Sequence, residues 1–265
     1  MGKLLLVGCG KMGGAMLDGW LSRGLGPADV VVAEPVEALR PKKPGLRAVA
    51  STSEISETPD IVVLAVKPQT MDAVLPDLRR FAEAGSVFLS IAAGKTLKYF
   101  ASHLGAAAKV VRSMPNTPAA VRQGISVACA AKGVSPAEKQ RCQQLLEAVG
   151  QALWVEDEAL LDPVTALSGS GPAYVFLLVE AMAAAGAKLG LSADMAMQLA
   201  RATVAGSGEL LRQSGEPAEQ LRVNVTSPGG TTAEALKVLM AADGIQPVFD
   251  KALAAASRRS RELAG

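Results

Sequence analysis

Short runs of aliphatic residues recur through the first half of the chain. Most of them are four to six residues long and are bounded by glycine, proline or charged residues. Continuous apolar runs of this length are typical of strands that are buried on both faces of a parallel sheet. The predicted strands are Leu4–Val7, Val30–Ala33, Ile61–Val66, Val87–Ile91, Lys109–Arg112, Ile125–Ala130 and Ala152–Val155.

Segments of helical composition separate most of these runs, at Gly14–Ser22, Thr70–Glu83 and Leu97–His103. A further helix is predicted after Ser135, because Ser135 and Glu138 have the spacing of a capping box with a proline in the first turn. Strands that alternate with helices indicate βαβ units. The first half is therefore predicted to form a Rossmann-type, doubly wound α/β sheet.

The second half of the chain has a different pattern. Its residues are mainly Ala, Leu, Met, Glu and Arg, which favour helices. The residues Thr231 and Glu234 have the spacing of a second capping box. The change predicts an α/β domain over residues 1–160 and an all-helical domain over residues 161–265. The predicted helices of the second domain are Pro172–Leu189, Ser192–Gln213, Thr231–Ala242 and Ile245–Leu263.

The first two helices of that domain are apolar around much of their circumference. A few helices of this kind in a small domain cannot bury one another fully. The helical domain is therefore predicted to be a homodimerisation element. The apolar residues that support this are Leu177, Leu178, Met182, Leu189, Met195, Met197, Leu199 and Val204.

A glycine-rich turn stands between the first predicted strand and the first predicted helix. In that context Gly8 allows a tight turn, Gly10 lets the backbone approach a pyrophosphate, and Gly13 lets the helix pack closely on the strand. Amides at the start of the helix would face the phosphates. A glycine-rich turn without a ligand is the alternative. The predicted dinucleotide turn consists of Gly8, Cys9, Gly10, Lys11, Met12 and Gly13.

Further candidates follow predicted strands, where open α/β sheets bind their ligands. Glu34 stands 21 residues after Gly13, where an acidic residue binds the ribose hydroxyls of a dinucleotide. Lys67 and Pro68 follow one strand, and Ala92–Gly94 follow another. The alternatives are a solvated acidic residue at Glu34 and an ordinary surface lysine at Lys67.

Two loops of small residues lead into helices in the second half, one at Ser168–Tyr174 and one at Ser227–Thr232. The free amides at the start of a helix can hold an anion. Either loop alone would be an ordinary connection. Two such loops beside a nucleotide-binding fold indicate a site for a small carboxylate.

Composition excludes several other functions. The net charge is +2 and aromatic residues make up 3% of the chain, so the basic surface and stacking side chains of nucleic-acid-binding proteins are missing. With His103 as the single histidine, multi-histidine metal sites are excluded and no metal is expected. The three cysteines, Cys9, Cys129 and Cys142, are far apart, which indicates buried thiols in a reducing compartment.

Apolar stretches that could direct the chain to a membrane are short. The run after Lys3 is shorter than that of a secretory signal. The most apolar later stretch, Ala173–Ala187, contains Glu180 and is shorter than a membrane span. We expect a soluble, cytoplasmic protein without membrane or nucleic-acid partners.

Taken together, these motifs resemble those of the pyrroline-5-carboxylate reductases, and the resemblance covers nearly the whole chain. It rests on the glycine-rich turn and on Ala65–Gln69, Arg112–Pro118, Leu167–Tyr174 and Asn224–Ala235, whereas Ser214–Gln220 departs from the family pattern. The resemblance implies reduction of the cyclic imine 1-pyrroline-5-carboxylate to L-proline, the final step of proline biosynthesis, with NADPH or NADH. It also implies a homodimer formed through the helical domain, with further assembly of such dimers open.

The resemblance also implies roles for particular residues. The loop amides of the second half would bind the substrate carboxylate, and the Thr232 hydroxyl would lie near the ring nitrogen as the catalytic group. The substrate-binding residues are then Ser227, Pro228, Gly229, Gly230, Thr231 and Thr232. The cofactor-binding residues are those of the glycine-rich turn with Glu34, Val66, Lys67, Pro68, Ala92, Ala93, Gly94, Met114, Pro115 and Asn116.

Two alternative functions share parts of this pattern. A β-hydroxyacid dehydrogenase has the same two-domain plan and needs a catalytic lysine in the helical domain. Lys188 is the only lysine in the corresponding region, and it stands at a predicted helix end. A non-catalytic NAD(P)-sensing protein would keep the pocket without turnover, and the two intact small-residue loops argue against it.

Overall fold

The computed structural model describes residues 2–264, so Met1 and Gly265, the outermost residues of the two predicted domains, lie outside the described residues. Its strands are β1 Leu4–Val7, β2 Val30–Ala33, β3 Arg47–Val49, β4 Ile61–Leu64, β5 Val87–Ser90, β6 Lys109–Met114, β7 Gly124–Ala130 and β8 Gly150–Trp154. They form one sheet in the order β3-β2-β1-β4-β5-β6-β7-β8. The strand order reverses between β1 and β4, which confirms the predicted doubly wound sheet.

Two features of the sheet were not predicted. The strand β3 has three residues, of which the first is exposed, so it lacks an apolar run. The strand β7 is antiparallel to β6, whereas the other neighbouring pairs are parallel. The connection between β6 and β7 is nine residues with a single 3-10 turn. A parallel crossover needs a dozen or more residues, so this connection reverses the chain direction.

Helices cover both faces of the sheet: α1 Lys11–Ser22, α2 Met71–Glu83, α3 Leu97–Leu104 and α4 Pro136–Glu147. Successive strand residues point to opposite faces. In β1, Leu4 and Leu6 therefore pack in the core that contains Met16 of α1, and Leu5 packs in the core that contains Leu75 of α2. The central strands are buried on both sides, which explains their aliphatic sequences.

The predicted capping box of α4 is confirmed. The Ser135 Oγ accepts a hydrogen bond from the Glu138 amide at 3.3 Å, and the Glu138 Oε2 accepts one from the Ser135 amide at 2.7 Å. The Lys109 ammonium, at 2.8 Å from the other Glu138 oxygen, and the Ser135 bonds hold the pKa of the Glu138 carboxyl below its usual value, although its burial acts in the opposite direction.

The remaining helices are α5 Leu161–Val164, α6 Gly171–Lys188, α7 Ala193–Gln213, α8 Ala218–Asn224, α9 Thr231–Leu239 and α10 Ile245–Ala264. By spatial contacts the chain divides into two units. The first runs to Gly169 and also includes the residues from Ala256 on, and the second is Ser170–Ala255. The predicted division between residues 160 and 161 follows the change in composition instead, and it stays a prediction.

Most of the apolar side chains of the second unit are exposed within a single chain. The helices α6 and α7 pack through Ala183, Ala196 and Ala200, the buried hydrophobic residues among residues 170–255. Phe176 and Leu177 of α6 are 61% and 62% exposed. An apolar helix surface of this extent is typical of a helix that is covered by another chain.

The segment Glu158–Lys188 is, by length and composition only, long and apolar enough to cross a membrane. It is longer than the stretch that the sequence singles out, because the helical turns of α5 continue into α6. This composition is weak evidence for a span, since a helix buried between subunits has the same composition.

Candidate functional site

The glycines between β1 and α1 have different surroundings. Gly8 has a φ of +91°, and a Cβ there would lie 2.8 Å from the Ala65 carbonyl oxygen. A Cβ on Gly13 would lie 2.4 Å from the Gly8 carbonyl oxygen. A Cβ on Gly10 would have no described atom within 4 Å. Gly8 and Gly13 are therefore required by the fold, whereas Gly10 borders open space.

The start of α1 can accept an anion. Gly10 is the N-cap residue, and the Gly14 amide makes the first helical hydrogen bond to its carbonyl oxygen at 2.8 Å. Among the described residues, no side chain caps this helix and its first turn holds no acidic residue. The first amides of a helix have no partner within it, and the helix dipole favours negative charge there. A phosphate group fits these properties.

Glu34 lies next to the glycine-rich turn and is 5% exposed. Its Oε2 accepts a hydrogen bond from the Cys9 amide at 2.8 Å, and its Oε1 accepts one from the Val36 amide at 2.9 Å. The alternative of a solvated acidic residue therefore does not hold. A carboxylate oxygen can accept a second hydrogen bond, so Glu34 can bind a ribose hydroxyl as well.

The loop after β2 is held in place by Arg40. Its Nε donates to the Glu34 carbonyl oxygen at 2.7 Å, and its Nη2 donates to the Pro35 carbonyl oxygen at 2.8 Å. These two bonds use part of the guanidinium, which has five N–H donors. Arg40 thus keeps donors for a further anionic group.

A cavity of about 410 Å³ lies at the carboxyl ends of β1, β2 and β4. It brings together the predicted residues Gly8, Gly10, Glu34, Val66 and Lys67. Other lining residues were not predicted from the sequence, because they belong to no motif. They reach the cavity from the segments after β2 and β3, from the residue before α2 and from the middle of α2. They include Val36, Leu39, Ser51, Thr52, Thr70 and Asp77.

The predicted residues after β6 contact the first small-residue loop. The Asn116 Nδ2 donates to the Ser168 carbonyl oxygen at 3.2 Å, and its Oδ1 accepts from the Ile125 amide at 2.9 Å. A Cβ on Gly169 would lie 2.5 Å from the Met114 Cε. The residues Thr165–Gly169 form a π-helical turn, a geometry that is frequent at functional sites. Asn116 therefore has a defined structural partner, and its contact with a cofactor stays a prediction.

The predicted residues after β5 pack against the end of α10. Gly94 has a φ of +73°, and a Cβ there would lie 2.9 Å from the Leu263 carbonyl oxygen. Ala92 is buried, and its amide donates to the Ser90 Oγ at 3.2 Å. This loop lies outside the cavity described above, at the end of the neighbouring strand.

The second small-residue loop leads into α9. Gly229 has a φ of +70°, and the Gly230 amide donates to the Ser227 carbonyl oxygen at 3.0 Å. The predicted capping box is wrong, because α9 begins with Thr231 and its N-cap residue is Gly230. Glu234 pairs instead with Lys237, at 2.6 Å. Within the described chain, the first amides of α9 thus receive no side-chain cap.

The three cysteines are buried thiols, as predicted. Burial raises the pKa of the Cys142 thiol to about 12. Residues 2–264 contain no group of three or more His, Cys, Asp or Glu side chains that could hold a metal ion. His103 lies on α3 beside Tyr99, whose hydroxyl donates to Asp72 at 2.5 Å and lowers the pKa of that carboxyl.

Known proteins match this chain from end to end. A pyrroline-5-carboxylate reductase of Pseudomonas aeruginosa is 44% identical over 99% of this chain and 97% of its own length. The chain belongs to the pyrroline-5-carboxylate reductase family. The family model for pyrroline-5-carboxylate reductase dimerisation matches residues 158–263. The model described as NADP oxidoreductase coenzyme F420-dependent matches residues 3–94.

Solved structures of the family have the same fold. A pyrroline-5-carboxylate reductase from Coxiella burnetii superposes with a TM-score of 0.92 at 33% identity, over 100% of this chain and 99% of that one. A pyrroline carboxylate reductase from Plasmodium falciparum with NADP bound has a TM-score of 0.83 at 31% identity, over 99% and 98%. The family resemblance and the fold class that the sequence predicts are confirmed.

Proposed function

We propose that this chain catalyses the NAD(P)H-dependent reduction of 1-pyrroline-5-carboxylate to L-proline, the final step of proline biosynthesis. The observation that carries the proposal is the 44% identity to a named reductase over almost the full length of both chains. The glycine-rich turn and both small-residue loops are intact in the same chain. We also propose a cytoplasmic location.

We assign the dinucleotide to the carboxyl ends of the parallel strands. The amides that start α1 would hold the pyrophosphate, Gly10 would allow its approach, and the Glu34 carboxylate would accept hydrogen bonds from the adenine ribose. When bound, the reduced nicotinamide supplies a hydride. Val66, Lys67 and Pro68 and the loops Ala92–Gly94 and Met114–Asn116 complete the proposed cofactor site.

Reduction of the imine needs little chemical activation by the protein. A protonated C=N bond is already electrophilic, so the chain has to orient the imine, exclude water and balance the carboxylate charge. We assign the carboxylate to the loop Ser227–Thr232, through its free backbone amides at the uncapped start of α9, where the helix dipole is favourable. We propose that the Thr232 hydroxyl makes a hydrogen bond with the ring nitrogen.

The assay that tests the function combines purified protein, pyrroline-5-carboxylate and each reduced nicotinamide. We expect cofactor oxidation that depends on the imine, with L-proline as the product, followed at the nicotinamide absorbance band. Turnover of a 3-hydroxy acid without turnover of the imine would favour the dehydrogenase alternative. Cofactor binding without any imine-dependent oxidation would favour the sensor.

Replacing Thr232 by valine tests the proposed catalytic hydroxyl. The variant keeps the shape of the side chain and removes the hydroxyl. We expect kcat/KM for the imine to fall by roughly 3- to 10-fold, which corresponds to the loss of a neutral hydrogen bond. The loss should be larger if the bond strengthens in the transition state. Thr231→Val is the matched control, because it keeps the backbone amide that we assign to the carboxylate. The Thr231 side chain is exposed and caps nothing in the described chain. Equal kcat/KM in wild type and a folded Thr232→Val variant would contradict the role.

We propose that the second unit forms a homodimer, and that such dimers can assemble further. The exposed apolar side chains of α6 and α7 and the match to the dimerisation model support this proposal. Light scattering at micromolar concentration should give at least twice the 27.2 kDa of one chain, without detergent. A fully active monomer would contradict the proposal. A requirement for detergent would instead favour insertion of the apolar segment Glu158–Lys188 into a membrane.

A further inference from the structure

The Glu158 carboxylate contacts two segments that are distant in the sequence. Its Oε1 accepts a hydrogen bond from the Arg112 Nη1 at 2.5 Å and another from the Leu97 amide at 2.7 Å. Arg112 lies on β6, two residues before Met114. Leu97 is the first residue of α3, three residues after Gly94. One oxygen atom thus joins the two segments that carry the proposed cofactor loops after β5 and β6.

This contact stands where the sheet stops holding those segments together. The backbone pairing of β5 with β6 ends at Ser90 and Arg112. Beyond that pair, the β5 segment leaves the sheet and forms the loop Ala92–Gly94. The strand β6 continues to Met114, paired only with β7 on its other side, and leads into Met114–Asn116. Glu158 therefore supplies a bridge between the two segments after the strand pairing has ended.

The surroundings favour one fixed geometry. The side chains of Arg112 and Glu158 are 11% and 28% exposed, so water screens this ion pair weakly. Val127, Cys129 and Leu161 form a buried cluster at this place, and Leu97 packs against it. Burial raises the pKa of the Cys129 thiol, so the side chain opposite Arg112 on the neighbouring strand is neutral. A carboxylate at the start of α3 also interacts favourably with the helix dipole.

We propose that Glu158 is a positioning residue of the cofactor site. Its carboxylate sets the separation between the loop Ala92–Gly94 and the loop Met114–Asn116, and so the shape of the site that holds the nicotinamide end of NAD(P)H. The inference rests on the proposed function for the identity of the cofactor. It concerns cofactor binding, which can be measured without turnover.

Two variants separate the charge from the hydrogen bonds. Glu158→Ala removes both acceptor bonds, whereas Glu158→Gln keeps an acceptor oxygen and loses the charge. We expect the Kd for NADPH or NADH, measured by fluorescence titration, to rise about 10-fold in Glu158→Ala and less in Glu158→Gln. The KM for the imine at saturating cofactor should change less than 2-fold. Glu156→Ala is the control, because that side chain is 92% exposed and 3.8 Å from Lys139, and it should bind cofactor like wild type.

The coupling to Arg112 gives a second readout. If the two residues act as one unit, Arg112→Leu should raise the Kd similarly, and the double variant should raise it no further than the larger single change. A wild-type Kd in Glu158→Ala would overturn the proposal, as would an equal rise of the cofactor Kd and the imine KM. If Glu158→Ala does not fold, Glu158→Gln replaces it: a raised cofactor Kd in Glu158→Gln would support the proposal, and a wild-type cofactor Kd would overturn it. A wild-type protein that binds cofactor without reducing the imine would refute the proposed function, and the cofactor Kd of the variants would still test Glu158.

Discussion

Replacing Gly10 by alanine should lower kcat/KM for NAD(P)H by roughly 10- to 100-fold, and the protein should still fold. A loss of this size corresponds to one hydrogen bond to a charged group. The added Cβ would meet no described atom within 4 Å, and the φ of Gly10, −69°, is open to alanine. The methyl group would instead occupy the space in which we place the pyrophosphate. The change at the N-cap itself costs about 1 kcal/mol or less.

Gly14→Ala is the matched control for this substitution. Gly14 lies in the same helix, α1. Its Cβ would lie 3.8 Å from the Cys9 carbonyl oxygen, which is an ordinary van der Waals contact. Alanine is the better helix former, so the control should keep its activity and unfold at the same or a slightly higher temperature. Steady-state kinetics against cofactor, with thermal unfolding of both variants, checks the pair. An unchanged KM for the cofactor in Gly10→Ala would contradict the placement of the pyrophosphate at this turn.

Replacing Glu34 by serine should shift the ratio of kcat/KM for NADPH over NADH at least 10-fold toward NADPH. The carboxylate would lie close to a 2′-phosphate, and two like charges at 4 Å repel by about 1 kcal/mol in water and several-fold more near a protein surface. We expect the wild type to use NADH at least comparably to NADPH, because Glu34 can accept a bond from the 2′-hydroxyl. The free donors of Arg40 limit the discrimination.

The same substitution should also lower stability. Glu34 accepts hydrogen bonds from the Cys9 and Val36 amides, and bonds to a charged group each contribute about 1.5–3 kcal/mol. Glu37→Ser is the control, because Glu37 is exposed, and it should change neither the cofactor ratio nor the unfolding temperature. A strong wild-type preference for NADPH would contradict the role of Glu34 in cofactor choice.

The sequence by itself predicted most of the fold. The aliphatic runs correspond to buried strands, and the capping box at Ser135 marks the start of α4, because these signals depend on residues close together in the chain. The same local reasoning was wrong at Thr231, where the loop Ser227–Gly230 places the N-cap one residue earlier. It also missed β3 and α8, which are short and lack a clear apolar pattern.

The family and the residues of the glycine-rich turn could likewise be predicted from the sequence, since each glycine stands at a fixed distance from a strand and a helix. Only the tertiary structure shows that Glu34 is bonded to that turn, that Asn116 joins β7 to the π-helical turn, and that Glu158 joins Arg112 to the start of α3. The partners in these contacts are between 9 and 61 residues apart, and most are more than 20 apart. Hydrogen bonds between distant residues follow from how the strand ends meet at one edge of the sheet, and no periodicity in the sequence encodes that meeting.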